Sequence, residues 1–168
     1  MYVSLICLKG DLFDLGGFMF ELVLNSLDET RDFSKRLADC FKNGDVFSFC
    51  GDLGAGKTTI TKFIAKNLNI KEDVTSPTFN IVNVYYGKFV LNHMDLYRIE
   101  NPDELYQIDY ETYFYPDGVT IIEWAKNAKE LLPCDLIEVF IVKVDDNKRK
   151  IVINGNNLRE REIINKLK

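Results

Sequence analysis

The chain predicts an α/β fold: a mixed β-sheet with a parallel core and antiparallel hairpins, flanked by helices. Three observations point there. Two short runs, "DVFSFC" (45–50) and "VTIIEW" (119–124), are almost wholly apolar, as strands buried on both faces must be. Segments of helical spacing alternate with such runs, which favours parallel strands joined by crossovers. Two further pairs of strand-like runs are joined by short turns, near Tyr86-Gly87-Lys88 and at "DDNK" (145–148), and each reads as a hairpin.

Taken in order, "MFELVLNS" from Met19 reads as a strand, and "SLDE" (26–29) has the Ser-x-x-Glu spacing of a capping box opening a helix. Phe33, Leu37 and Phe41 fall four apart along one helical face, and Asn43-Gly44 reads as the stop. After the strand "DVFSFC" and a glycine loop, a second helix is predicted from about Lys57 to Leu68. The first hairpin spans "PTFNIVNVYYGKFVLNHMD", and "NPDELYQIDYETYF" (101–114), opening on Asn-Pro, reads as a helix. "VTIIEW" is a buried strand, and "AKNAKELL" a short helix ended by Pro133. The second hairpin is "DLIEVFIVKV" with "RKIVIN", and "LREREIINKLK" closes the chain as a helix. Residues 1–18 do not fit this order. Their "GGF" just ahead of Met19 would need two GGN codons, as a translated ribosome-binding site would, so Met19 is the expected natural start. Residues 1–18 are then an N-terminal extension and 19–168 a single domain.

Composition is that of a globular domain, with 46% hydrophobic and 28% charged residues. No apolar run approaches the roughly 20 residues of a membrane-spanning helix, and the N-terminus lacks the basic region of a signal peptide. The four cysteines show no CxxC spacing and sit among apolar neighbours, so they read as buried thiols of a cytoplasmic protein. A net charge of −5 gives no general electrostatic footprint for nucleic acid. The charge is uneven: residues 143–168 hold eight Lys/Arg against four Asp/Glu, which reads chiefly as a solvated terminal helix.

The glycine loop carries the chemistry. Gly51-x-x-x-x-Gly56-Lys57-Thr58 meets the full phosphate-loop pattern GxxxxGK[ST], with a buried strand before it and a helix after. Glycines let successive N–H groups turn inward on phosphate oxygens, and the helix dipole adds to that field. Lys57 brings a point charge to the β/γ-phosphates, and the Thr58 hydroxyl is placed to ligate Mg²⁺. The expected fold is therefore P-loop NTPase-like. A magnesium- and water-organising acid normally follows an apolar strand of the same sheet. Asp95 after "FVLNHM" and Glu123 after "VTII" both fit; Glu123 ends the cleaner strand and is assigned to Mg²⁺, with Asp95 as the second acid. Guanine-reading loops carry an Asn/Thr-Lys-x-Asp segment, which "NKLK" (165–168) does not complete, so adenine is preferred.

Four strings, "GDLGAGKTT" (51–59), "TSPTF" (75–79), "HMDLYR" (93–98) and "IIEW" (121–124), stand in an order and spacing that resembles the bacterial TsaE (YjeE) family, from about Met19 to about Ile153. That resemblance implies a slow, partner-dependent, Mg²⁺-dependent ATPase of tRNA threonylcarbamoyladenosine (t6A) biosynthesis. It would act with a threonylcarbamoyltransferase and its inactive paralogue, on the adenosine beside the anticodon in tRNAs reading codons that begin with A, and would meet tRNA indirectly. It implies that Asp52, Leu53, Gly54, Ala55, Gly56, Lys57, Thr58 and Thr59 hold ATP, and that Thr58 and Glu123 meet Mg²⁺. By the same resemblance Thr78 lies near the γ-phosphate, Asp95 completes the site, Trp124 braces the pocket and the chain around Leu27 lies near the base. Two departures stand out. Trp124-Ala125 replaces the family's Trp-Pro, which implies a looser turn, and Asp109 replaces a glycine, which implies a softened helix break.

Plainer readings stand beside these. His93, the single histidine, reads first as a packing residue and second as a catalytic or switching group. Arg98 reads either as an internal arginine finger or as a salt bridge to Asp95 or a neighbouring Glu. Segment 95–117 holds seven acids against one base among six interleaved aromatic rings, which suits a protein partner with a basic rim, half the rings packing inward. Two other functional classes share the loop: a small-molecule kinase, which generally adds an arginine-rich lid, and a nucleotide-gated binding module without turnover.

Overall fold

Seven strands form one sheet in the order β1-β7-β6-β2-β5-β4-β3, in a computed structural model that describes residues 18–77 and 80–168. The strands are β1 Met19–Leu24, β2 Asp45–Cys50, β3 Val82–Tyr86, β4 Val90–Asp95, β5 Val119–Glu123, β6 Ile137–Lys143 and β7 Arg149–Asn154. The four central strands β6, β2, β5 and β4 run parallel, while β1, β7 and β3 pair antiparallel at the two sides. The mixed sheet and its two hairpins are thus those predicted. The expected extension lies outside the described residues except for Phe18, as does Thr78.

The sheet is sandwiched between two cores. On one face, Phe47 and Phe49 of β2 and Ile121 of β5 pack against Phe33 and Leu37 of α1 (Leu27–Ala38), Ile60 and Ile64 of α2 (Lys57–Asn67), and Ile163 and Ile164 of the closing helix. On the other, Val46 and Ile122 meet Met94, Leu96, Leu105 and Phe114. Both faces of β2 and β5 are covered, which is why their sequences do not alternate. Among the described residues no helix is long and apolar enough to cross a membrane.

Several local expectations shift. Ser26 caps α1 by accepting the Glu29 amide, but the Glu29 carboxylate reaches back to the Asn25 amide at 2.7 Å, one residue beyond the box. The predicted helix 101–114 is two pieces, a 3₁₀ helix Pro102–Ile108 and α3 (Glu111–Phe114), because Asp109 turns left-handed at φ 51°. The break is kept, not softened: aspartate tolerates this conformation where most residues do not. The helix before Pro133 shrinks to a 3₁₀ turn, Ala125–Ala128. Cys40 is buried and Cys50 half-buried, but Cys134 is exposed, since it follows Pro133 into the loop before β6. The basic C-terminal region is no free tail. It forms β7 and α4 (Leu158–Leu167), with Lys150 on Glu21 and Arg159 on Asp45.

Candidate functional site

Parallel strands bring their C-terminal ends to one edge, and here three carry the predicted chemistry. The phosphate loop follows β2, Glu123 ends β5 and Asp95 ends β4. Register places Glu123 beside Phe49 on one side and Asp95 on the other. The loop is shaped by its glycines. A side chain on Gly51 would fall on the Ile141 carbonyl of β6, and Gly56 sits at φ 105°, a left-handed conformation favouring glycine, as the N-cap of α2. Ala55 is buried, Asp52 and Gly54 are exposed, Thr58 and Thr59 are half-buried, and Leu53 stands 86% exposed at the crest.

Lys57 is only 5% exposed and aims into the loop: its Nζ donates to the Gly51 carbonyl at 2.9 Å and the Asp52 carbonyl at 3.0 Å. The Trp124 ring lies 4.9 Å from the same ammonium. Trp124 holds φ 60°, an uncommon conformation for a bulky residue, and this turn at the strand end sets its ring beside Lys57 and edge-on to Tyr97. The looser turn expected without the proline is held instead by Asn127, whose amide donates to the Trp124 carbonyl and whose side chain reaches the Leu96 carbonyl.

The Thr58 hydroxyl, in the first turn of α2, donates to Glu123 Oε1 at 2.8 Å. His93 Nε2 lies 3.0 Å from the same oxygen. His93 is fully buried, Glu123 is 3% exposed, and His93 Nδ1 has no partner among the described residues. The packing role read for His93 is therefore incomplete: with β4 beside β5, its ring faces the key carboxylate. With Nδ1 unpartnered among the described residues, the ring's polar contact is made through Nε2, which faces the Glu123 carboxylate.

Asp95 neighbours Glu123 by register but serves different atoms. Its carboxylate accepts the Ser76 hydroxyl at 2.7 Å and the Tyr97 amide at 3.0 Å, tying the segment 75–77 to the sheet edge just before Thr78. Leu27 opens α1 and is 58% exposed. It lies shortly past the end of β1, where Leu24 pairs with Arg149, which in turn reaches the phosphate loop. In the acidic segment, Tyr97, Tyr106 and Tyr115 are exposed while Tyr110, Tyr113 and Phe114 pack toward the second core.

Sequence reasoning leaves one group open and misses another. His93 carries no signal that separates it from a core histidine. Arg149 lies 94 residues from its loop partner Ala55, and only the path of β7 beside β6 brings it there.

Known proteins resemble this chain in sequence and fold. The family model described as "Threonylcarbamoyl adenosine biosynthesis protein TsaE" matches residues 24–151. A tRNA threonylcarbamoyladenosine biosynthesis protein TsaE of Bacillus subtilis is 41% identical over 129 residues, covering 76% of this chain and 80% of that protein. The protein of the same description from Rickettsia prowazekii is 41% identical over 140 residues, 80% of this chain and 94% of its own. A crystal structure of Bacillus subtilis YdiB superposes with a TM-score of 0.75 at 32% identity, covering 90% of this chain and 95% of that one. A phosphate loop backed by an acid and a tryptophan at the end of a buried strand, and a family match over most of the sheet, lead to one assignment: the chain belongs to the TsaE family.

Proposed function

We propose that this chain is the ATP-binding and ATP-hydrolysing subunit of tRNA threonylcarbamoyladenosine biosynthesis. The place in t6A biosynthesis comes from the relatives, which carry that description over most of this chain. The single observation that carries the chemistry is the contact of the Thr58 hydroxyl with Glu123 Oε1 at 2.8 Å, beside the phosphate loop.

The loop amides from Asp52 to Thr59 grip the triphosphate at the positive end of α2. Lys57 has three N–H donors; two hold the Gly51 and Asp52 carbonyls, and the third remains for a phosphate oxygen. Two hard oxygens within hydrogen-bond distance, one hydroxyl and one carboxylate, fit Mg²⁺, which also keeps waters and phosphate oxygens around itself. Thr58 and Glu123 would hold the ion, and bound there it would neutralise charge developing on the phosphates. Glu123, oriented by His93 at Oε1, orients the attacking water through its other oxygen. Asp95 holds Ser76, in the segment leading to Thr78, against the strand end, and the role near the γ-phosphate assigned to Thr78, which lies outside the described residues, rests on the family resemblance alone. Trp124 walls the pocket beside Lys57, and Leu27 lies toward the adenine.

Turnover is slow alone and rises with a threonylcarbamoyltransferase and its inactive paralogue in the cytoplasm, with tRNA met through them. The exposed tyrosines among acids at 97–117 supply a face for a basic protein surface. Phosphate release by the pure protein, measured alone and then with the transferase pair and tRNA, tests this. Stimulation that disappears in Lys57→Ala supports the proposal; t6A formation that persists with Lys57→Ala as the sole copy overturns it.

A further inference from the structure

The C-terminal basic region contributes one side chain to the nucleotide site from behind. Arg149, the first residue of β7, is half-buried, and its guanidinium is a fork between the phosphate loop and the β6–β7 turn. Nε donates to the Ala55 carbonyl at 2.7 Å, and Nη2 lies 3.5 Å from the Gly54 carbonyl. Nη1 donates to the carbonyls of Asp145 at 2.8 Å, Lys148 at 2.9 Å and Asp146 at 3.3 Å. Every acceptor here is a main-chain carbonyl rather than a carboxylate. The Asp145 carboxylate, which feels this charge, is itself engaged by the Asn147 and Lys148 amides.

A trans peptide points its C=O and N–H in opposite directions. No peptide bond among the described residues is cis, so an Ala55 carbonyl fixed on Arg149 turns the Gly56 N–H the other way, toward the inside of the loop. A cationic donor on the carbonyl also polarises that peptide and makes the inward N–H a stronger donor. The clamp acts where the loop turns into α2: Gly56, at φ 105° and without a side chain, is the N-cap residue whose N–H the Ala55 carbonyl orients. The turn 145–148 anchors the guanidinium from its far side, so the clamp is braced by the sheet and not by the loop it holds.

We propose that Arg149 is a positioning residue for polyphosphate, holding the Ala55–Gly56 peptide with its N–H directed at the bound anion. The inference rests on the nucleotide reading above and extends it to a residue outside the phosphate-loop pattern. Arginine is specifically suited, because a planar fork serves two carbonyl directions that a lysine ammonium cannot reach together.

Calorimetric titration of the full chain with Mg-ATP, Mg-ADP and AMP, for wild type, Arg149→Gln and Arg149→Lys, tests it. Arg149→Gln should weaken ATP binding roughly tenfold, what one charge-assisted hydrogen bond is worth, and AMP binding much less. Arg149→Lys, which keeps the charge but not the fork, should fall between. Unchanged ATP affinity in Arg149→Gln, or an equal loss for AMP and ATP, overturns the proposal. Thermal melts of both variants separate a clamp from a fold defect. If Arg149→Gln melts early, Arg149→Lys decides instead, and wild-type ATP affinity there with a wild-type melt sinks the clamp. A wild-type chain that binds no ATP would instead refute the nucleotide reading itself.

Discussion

Thr58 and Glu123, sixty-five residues apart in the chain, meet at 2.8 Å, hydroxyl to carboxylate. One comes from the helix that follows β2 and the other from the end of β5, and the parallel pairing of those strands sets the distance. On the proposed function the carboxylate acts on water and metal rather than on the phosphates directly. Glu123→Gln should therefore lower ATP turnover by about 100-fold or more while ATP affinity falls far less. Single-turnover rates and equilibrium binding measured on the same preparation check this, and a parallel loss of both would mean that Glu123 serves only the fold.

Trp124 is the single tryptophan of the chain and stands 4.9 Å from the Lys57 ammonium. Its emission should change saturably as ATP is added, because any shift of Lys57 toward a phosphate alters the cation at the ring. The change should vanish in Lys57→Ala. A flat titration in a protein that binds ATP by calorimetry would remove Trp124 from the pocket.

Glu138, on β6, is pushed up to about 7 by burial, and by the neighbouring Glu160, with Lys129 only partly opposing. Glu160 is also raised by burial, although it accepts the Glu138, Asn156 and Asn157 amides. A carboxyl whose folded value lies above its unfolded one binds more protons when folded, so stability falls as pH rises from about 4.5 through 7. Glu138→Gln should flatten that slope and stabilise the protein at pH 8 by about 1–3 kcal/mol, the scale of a shift of this kind. Urea unfolding at several pH values reads the slope directly.

Asp109 divides the acidic segment at φ 51°, and its carboxylate accepts the Thr112 hydroxyl at 2.9 Å. Asp109→Ala should lower stability by about 1–2 kcal/mol, the cost of a left-handed residue with a β-carbon and no local hydrogen bond. Asp109→Gly should cost less, since glycine removes the conformational penalty and loses only the bond. Melting temperatures of the two variants decide the order.

Much of this architecture is legible in the sequence because its causes are local. A strand buried on both faces has no alternation to hide, so β2 and β5 stand out, and with them Lys57, Thr58 and Glu123 at their ends. The helix 101–114 reads as continuous although a single backbone angle at Asp109 interrupts it, because apolar spacing does not record angles. His93 and Arg149 escape for a different reason. Their partners, Glu123 and Ala55, are neighbours only through strand order, a property of the whole sheet that no window of sequence contains. Asp95 falls at the expected edge, but its hold on Ser76 depends on how the segment before β3 returns across β4.

The separation in sequence of the groups around Glu123 has a consequence for how the protein matures. Thr58, His93 and Glu123 arrive on three different segments, and no stretch shorter than that from Thr58 to Glu123 contains them all. On the proposed function, hydrolysis rather than nucleotide capture is therefore a late property of the polypeptide, available only once the central strands have docked. A nascent or damaged copy would on this reading hydrolyse no ATP even where its loop still held the nucleotide, so turnover per bound nucleotide will sort intact molecules from incomplete ones.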